Sequence, residues 1–451
     1  MKTPDRFTIK TFGCKANTHD SGVLEADLAQ QGWVHARAAC DAGVVIVNSC
    51  GVTDEAERTS FRYARRALRD GKRVVLTGCA VEHRPDVARR AVPGATVIRK
   101  SWGKSHESLG TLLNDDEDDA VWVPASDREI RHWPPVRAVG LVNGRTRAFL
   151  KIQEGCDAFC TYCMIPYGRG PSRSLPLDDA FSQIQKLQAL GVQEVVLTGT
   201  ALGFFGAEQG PKGHALETLL DRIARSQKPI DRIRLTSLDP SEITPGILRH
   251  LAASDVLCPH IHLSVQSMND VILRRMKRTY RTEVTTATLR AIYQMQPEAF
   301  VGMDLITGFP GETEEMHRET VKLLGDLPWT RLHVFPYSER SGTPATRLKD
   351  AVPVAVRKQR SMELNQLSLT RFESTLRARL TQHGGGLERA VLFENPDQDG
   401  VVSGYSRFYE RFRVRAGTEH EKISGTVRTA RAVRLGVDPT SFDVFYESTL
   451  V

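Results

Sequence analysis

Three cysteines crowded into Cys156-Asp157-Ala158-Phe159-Cys160-Thr161-Tyr162-Cys163 carry the plainest chemistry in this 451-residue chain. At these spacings all three thiolates can turn inward from one short loop. They can then hold three corners of a cubane iron–sulfur cluster. No fourth ligand stands nearby, which would leave one iron open to a small molecule. The other use for such a loop is structural zinc. Zinc sites, however, typically pair CxxC with a second pair elsewhere, and no second pair exists here.

Three further cysteines share a placement. Cys14 follows the β-like run Phe7–Phe12, Cys50 follows the apolar run Val44–Val47, and Cys79 follows Val74–Leu76. In an open parallel sheet, positions just past the C-terminal ends of strands line the ligand crevice. Taken singly, each is an ordinary buried thiol or helix-start residue; taken together, they could ligate a second cluster. Cys40 and Cys258 lack such a context and read as buried structural thiols.

The elements that must position these residues fall into three segments. Strand-like runs and helical spacing alternate over residues 7–110, with helices expected at Asp20–Gln31 (Val23, Leu24 and Leu28 at helical spacing) and Glu55–Arg69. That alternation predicts a parallel α/β domain over residues 1–125. The acidic run Asn114–Asp119 and the Pro-containing stretch to Pro135 read as a linker. Over residues 145–380 the rhythm resumes, with strands expected at Phe149–Ile152, Glu194–Leu197, Arg232–Leu235, His260–Val265, Val301–Ile306 and Arg331–Phe335. Six repeats are too few for a closed eight-stranded barrel but suit an open, partial (βα)6 TIM-like barrel with its site at the strand C-termini. A long helix over Arg357–Leu380 and a hinge at Gly384-Gly385-Gly386 follow. Residues 381–451 then predict a small antiparallel β-barrel, with strands at Arg389–Phe393, Gly400–Ser403, Phe412–Arg415 and Lys422–Val427. Its aromatic–basic stretch Tyr405–Arg413, with Arg411 and Arg413, could stack on unpaired bases and hold phosphates. The same stretch could equally be a strand with an aromatic inner face.

Composition sets looser bounds. A net charge of +7 suits a polyanionic partner without demanding one. No apolar run approaches the ~18 residues of a membrane span. The cysteines are sparse, as in a reducing compartment, so a soluble, cytoplasmic protein is the expectation.

The CxxxCxxC loop, with Tyr162 just before its last cysteine, resembles the signature of the radical S-adenosylmethionine (SAM) superfamily, whose open iron chelates SAM. Gly13-Cys14-Lys15-Ala16-Asn17, Asn48-Ser49-Cys50-Gly51-Val52-Thr53 and Thr77-Gly78-Cys79-Ala80 resemble the three cysteine motifs of the methylthiotransferase family within it. So do the continuation Met164-Ile165-Pro166-Tyr167-Gly168-Arg169-Gly170 and the segments Gly308–Thr313 and Phe335–Thr343. The resemblance extends to a TRAM-like RNA-binding tail.

It implies two 4Fe-4S clusters, one on Cys156, Cys160 and Cys163 that cleaves SAM, and an auxiliary one on Cys14, Cys50 and Cys79 that carries sulfur. A 5′-deoxyadenosyl radical would take hydrogen from C2 of a modified adenosine in the tRNA anticodon loop. Electrons would come from a donor such as flavodoxin or ferredoxin. The residues expected around SAM are Tyr162, Gly199, Gln266 and Gly308. Of the family's branches, Gly13–Asn17 fits the one acting on N6-threonylcarbamoyladenosine, with Ala16 departing from its usual valine. The branches for N6-isopentenyladenosine and for a ribosomal aspartate are alternatives, and a zinc-stabilised RNA-binding protein is the non-enzymatic one. Arg169 and Arg173 are candidates to pair with the threonylcarbamoyl carboxylate.

Overall fold

The structure is a computed structural model that describes residues 6–36, 38–99, 133, 146–208, 210–227, 229–397, 399–415, 423–438 and 443–451. The expected linker therefore lies outside the described residues, Trp133 excepted.

The first unit is a parallel five-stranded sheet. Its strands are β1 (Arg6–Thr11), β2 (Val34–His35), β3 (Val44–Ser49), β4 (Arg73–Gly78) and β5 (Thr96–Val97), in the order β2-β1-β3-β4-β5. Thr11 pairs with Asn48 and Ser49 with Gly78, so β1, β3 and β4 end level with one another. Helix α1 spans Lys15–Gln30 and α2 spans Asp54–Arg69, capped by the Thr53 side chain. α1 starts earlier than its apolar spacing suggested. Its first turns bury Asn17, Thr18, His19, Asp20 and Ser21, polar residues that no hydrophobic pattern reveals.

The second unit has six parallel strands: β6 (Arg147–Lys151), β9 (Glu194–Thr198), β10 (Arg232–Leu235), β11 (His260–Gln266), β12 (Phe300–Thr307) and β13 (Arg331–Pro336). β6-β9-β10 form one ladder and β11-β12-β13 another, joined by the bridges Ile233–Leu257 and Leu238–Leu263. The result is an open, partial barrel over one continuous apolar core. Two short strands the sequence did not reveal, β7 (Gln153–Glu154) and β8 (Arg173–Ser174), pair antiparallel and close the base of the loop that carries Cys156, Cys160 and Cys163. The long helix Val354–Gln382 packs on β13, where the Ser368 hydroxyl accepts from the Leu332 amide at 2.8 Å. An edge strand is thereby covered rather than left as a template for pairing.

The tail is a closed barrel of β14 (Glu388–Phe393), β15 (Val401–Ser406), β16 (Arg411–Arg415), β17 (Val427–Val437) and β18 (Val444–Leu450). It is not wholly antiparallel, because β16 and β18 run parallel. The strand expected at Lys422–Val427 is misplaced: Ile423–Thr426 forms a turn, and the strand begins at Val427.

The tail plugs the N-terminal end of the six-stranded barrel. Arg407 donates to the carbonyls of Asp231, Ser254, Asp255 and Leu257. Tyr409 packs against His260 and Phe300 and stacks on Tyr405, with ring centroids 4.5, 5.3 and 4.8 Å apart. The aromatic–basic stretch is thus an interdomain seal, not a free stacking platform. At its centre Glu410, fully buried, accepts from Arg379 at 3.0 Å and Arg389 at 3.2 Å. Removing one partner of a buried ion pair leaves charge uncompensated. Glu410→Gln should therefore weaken tail docking by about 3 kcal/mol, read as earlier proteolytic release of the tail. Unchanged protease resistance would show that Glu410 does not hold the plug.

Candidate active site

The three N-terminal cysteines follow the level ends of three adjacent strands, which brings them together. The Cys50 thiol feels both Cys79 and Cys14. A Cβ at Gly13 would stand 2.7 Å from Cys50 Sγ, and its φ of +97° independently demands glycine. Asn17 fastens the group: its Nδ2 donates to Phe12 O at 2.8 Å and Ser49 O at 3.0 Å, while its Oδ1 receives Cys79 Sγ at 3.3 Å.

The second trio sits on the loop that β7 and β8 close. Gly155 opens the loop with φ +75°, and a Cβ there would lie 1.9 Å from Pro171 O. Cys160 receives a hydrogen bond from Arg278 at 3.5 Å, and that guanidinium is held in turn by Asp239, Ser264 O and Tyr280. Gln153, wholly buried, donates to Gly155 O and Ser172 Oγ and accepts from the Ala201 amide. It so ties the strand-end loop Thr198–Ala201 to the cysteine loop.

Burial favours the protonated thiol in both trios. Burial, then Cys79 and Cys14, push the Cys50 thiol up to about 11. Burial with the neighbouring thiols raises Cys156 to about 11 and Cys163 to about 12. A bound metal core reverses that push, because a coordinated thiol is deprotonated outright. The amides of Val52, Ala158 and Ile165 each point at a cysteine sulfur from 3.5 Å, and such donors tune cluster potential.

One buried network joins the two trios. Lys151 Nζ lies 2.5 Å from Asp20 and 2.9 Å from Glu154. Arg169 donates to Glu154 at 2.6 Å, Asn17 Oδ1 at 2.6 Å and Asp20 at 3.3 Å, and Arg173 meets Glu154 at 3.2 Å. Arg169 is only 1% exposed. Burial opposes its charge, but Cys79, Asp20, Glu154 and Cys14 outweigh that and hold it protonated. Burial opposes the Glu154 charge too, yet Lys151, Arg173 and Arg169 keep its carboxyl well below the usual carboxylate range. A second clamp runs from Arg340 to Asp54 and Glu57 at the start of α2.

This geometry corrects the two expected substrate arginines. Arg169 and Arg173 are buried clamp residues with committed partners, so neither offers a guanidinium to a substrate carboxylate. Gly199 makes room for Gln153, whose Oε1 would be 2.9 Å from a Cβ there. Gly308 makes room for Arg357, 2.3 Å from a Cβ, and its amide donates to Glu312. Tyr162 packs edge-on against Phe309 in an apolar cluster with Ile272, Met276 and Tyr337. Gln266 ends β11 with φ +66°, beside a register irregularity; such backbone strain recurs at functional sites. Arg411 is paired with Asp443 and Ser403, and Arg413 lies over the Phe445 ring near Asp397. Cys258 is buried as expected, but Cys40 is exposed. Asn17, Asp20, Gln153, Glu154, Arg278 and Arg340 were missed as site residues. The one available signal was the polar run Asn17-Thr18-His19-Asp20 directly after a strand-end cysteine.

A strand-end cysteine loop on an open parallel barrel defines a radical SAM enzyme. Residues 150–324 match the family described as the radical SAM superfamily, and residues 6–98 match one described as uncharacterized protein family UPF0004. The chain is 31% identical to threonylcarbamoyladenosine tRNA methylthiotransferase MtaB of Thermotoga maritima, over 95% of this chain and 93% of that one. It is 29% identical to tRNA-2-methylthio-N(6)-dimethylallyladenosine synthase of Bacillus subtilis, over 89% and 79% of the two chains. The structure of the radical S-adenosylmethionine methyltransferase TsrM from Kitasatospora setae, with cobalamin and a [4Fe-4S] cluster bound, superposes with a TM-score of 0.56 at 15% identity, covering 76% of this chain and 77% of that one. The chain belongs to the radical SAM tRNA methylthiotransferase family: it is a transferase that acts on tRNA and uses SAM with a 4Fe-4S cluster. Among the described residues no helix is long and apolar enough to cross a membrane.

The clamp also dictates a pH response. His19, whose Nδ1 lies 2.8 Å from Phe149 O, is held neutral by burial and by Lys151, with its pKa lowered from 6.5 to about 4. As pH falls below 6.5 the unfolded chain takes up a proton that the folded one refuses until about 4. Stability should drop by about 3 kcal/mol across that window, and His19→Gln should flatten the drop. Urea titrations at several pH values measure it; identical slopes for the two proteins would refute the assignment.

Proposed function

We propose that this enzyme adds a methylthio group to C2 of N6-threonylcarbamoyladenosine at position 37 of tRNA. The observation that carries the reading is the pair of cysteine trios held across one buried clamp, with the Gly13–Asn17 motif on the auxiliary side. SAM and its cluster, when bound, supply a carbon radical able to remove the C2 hydrogen. The chain's own residues place and fix the parts. Cys156, Cys160 and Cys163 would hold the SAM cluster against the barrel mouth, and Cys14, Cys50 and Cys79 a second, sulfur-carrying cluster. Arg169, Glu154 and Asp20 set the offset between them. A single-stranded loop base can be swung out and read on its edge at low cost.

Helix α2 supports an RNA approach from the N-terminal side. It starts at the auxiliary trio and exposes Arg58, Arg62 and Arg69 along one face. Residues at such spacing are neighbours on a helix surface, and arginines in a row suit a phosphate backbone. A flavodoxin- or ferredoxin-like donor would supply the electron. The second reading is methylthiolation of N6-isopentenyladenosine, favoured by the similarity to the dimethylallyladenosine synthase.

Two measurements test these assignments. Single alanine variants of Cys156, Cys160 and Cys163 should abolish 5′-deoxyadenosine formation under anaerobic reduction. The triple variant of Cys14, Cys50 and Cys79 should lose roughly half the iron, one of two equal clusters, while still cleaving SAM. Iron at the wild-type level would make the N-terminal cysteines structural.

Nucleoside mass spectrometry of tRNA from a strain lacking the gene settles the substrate. Loss of the methylthio-threonylcarbamoyl nucleoside is expected. Loss of the isopentenyl derivative alone would select the second reading.

A further inference from the structure

The cations of the clamp all have carboxylate partners. Lys15 does not. It is the first residue of α1, one position after Cys14, and half-buried. α1 lies against β6 through His19 and Asp20, which aims this end of the helix at the barrel lumen. The Lys15 ammonium is within electrostatic reach of groups on five barrel strands: Arg147 on β6, Arg234 on β10, His260 on β11, Asp304 on β12 and His333 on β13, with Tyr409 of the plug beneath. Among the described residues it makes no hydrogen bond or ion pair. The other charges around it are matched. Arg234 is held by Glu194 at 2.9 Å, Arg147 by Glu394 at 2.5 Å, and Asp304 by His262 at 2.9 Å. Among the described residues Lys15 is the cation of this group left without a carboxylate, and a buried, unmatched cation is costly unless an anion joins it.

The chemistry of the proposed substrate offers that anion in the right place. On adenine, C2 and the carbon bearing N6 flank the same ring nitrogen. A base held with C2 toward the sulfur-carrying trio therefore carries its N6 chain close to the residue next to Cys14. Resting on the substrate reading above, we infer that Lys15 is the specificity residue for the N6 substituent, its ammonium pairing with the threonylcarbamoyl carboxylate. An isopentenyl chain leaves the same ammonium facing hydrocarbon, so the residue that welcomes one substrate disfavours the other.

The test uses full-length enzyme reconstituted anaerobically with iron and sulfide, then supplied with SAM, sulfide and dithionite as the electron source. Its substrates are two anticodon stem-loop RNAs that differ only at the threonyl carboxyl, a free acid in one and a methyl amide in the other. Wild-type enzyme should use the acid with a kcat/KM about 30-fold higher, the difference falling mainly on KM. Lys15→Met should bring the acid down to the level of the amide while iron content stays at the wild-type value. Lys15→Arg keeps the cation and should retain most of the preference; it carries the test if the Met variant fails to assemble. An acid preference that survives in iron-replete Lys15→Met, or equal use of both RNAs by wild type, overturns the role of Lys15 alone. Wild-type enzyme that ignores both RNAs but modifies an isopentenyl stem-loop overturns the substrate reading and this inference together.

Discussion

Everything chemical in this chain depends on one buried polar contact, the meeting of Asn17 and Asp20 with Lys151, Glu154, Arg169 and Arg173. It ties the unit that carries Cys14, Cys50 and Cys79 to the unit that carries Cys156, Cys160 and Cys163. Three cations against two carboxylates leave one positive charge over. Arg169 faces Cys79 and Cys14, so the surplus lies beside the thiols that a cluster would keep ionised. Among the described residues, negative charge beside Cys79 and Cys14 would offset that surplus. A hydrophobic interface of the same shape could match its stability, but it could not be coupled to the state of the site.

The rest of the architecture protects that arrangement. The hairpin of β7 and β8 cinches the cysteine loop to its own barrel, and Gln153 inside it reaches the next strand-end loop. Arg340 repeats the clamp on the other side of the N-terminal unit, at the first turn of α2. The tail closes the far end of the barrel with Tyr405, Arg407 and Tyr409, so the lumen opens on the side where both trios sit.

The sequence showed most of the strands and the two cysteine trios at their ends, because apolar runs and thiol spacing are local signals. It showed much less of what fixes their relative positions. In the first turns of α1, His19 and Asp20 are covered by Phe149 and Lys151, far along the chain, so hydrophobic periodicity started the helix late. Arg169 and Arg173 look like substrate arginines when nothing reveals the carboxylates that bury them. Tyr405–Arg413 has the composition of an RNA platform and the location of a plug; composition cannot tell which surface a strand will face. The strand misplaced at Lys422–Val427 failed for a simpler reason: a turn at Ile423–Thr426 comes just before the longest strand of the tail.

The polar character of α1 has a consequence for how the chain is made. His19 emerges from the ribosome 130 residues before its partner Phe149. At typical synthesis rates of ~5–20 residues per second, the N-terminal unit waits many seconds with that face uncovered. An apolar face would spend the interval as an aggregation site. His19 and Asp20 are simply hydrated until the barrel arrives. The helix that must be buried last is written in residues that tolerate water meanwhile.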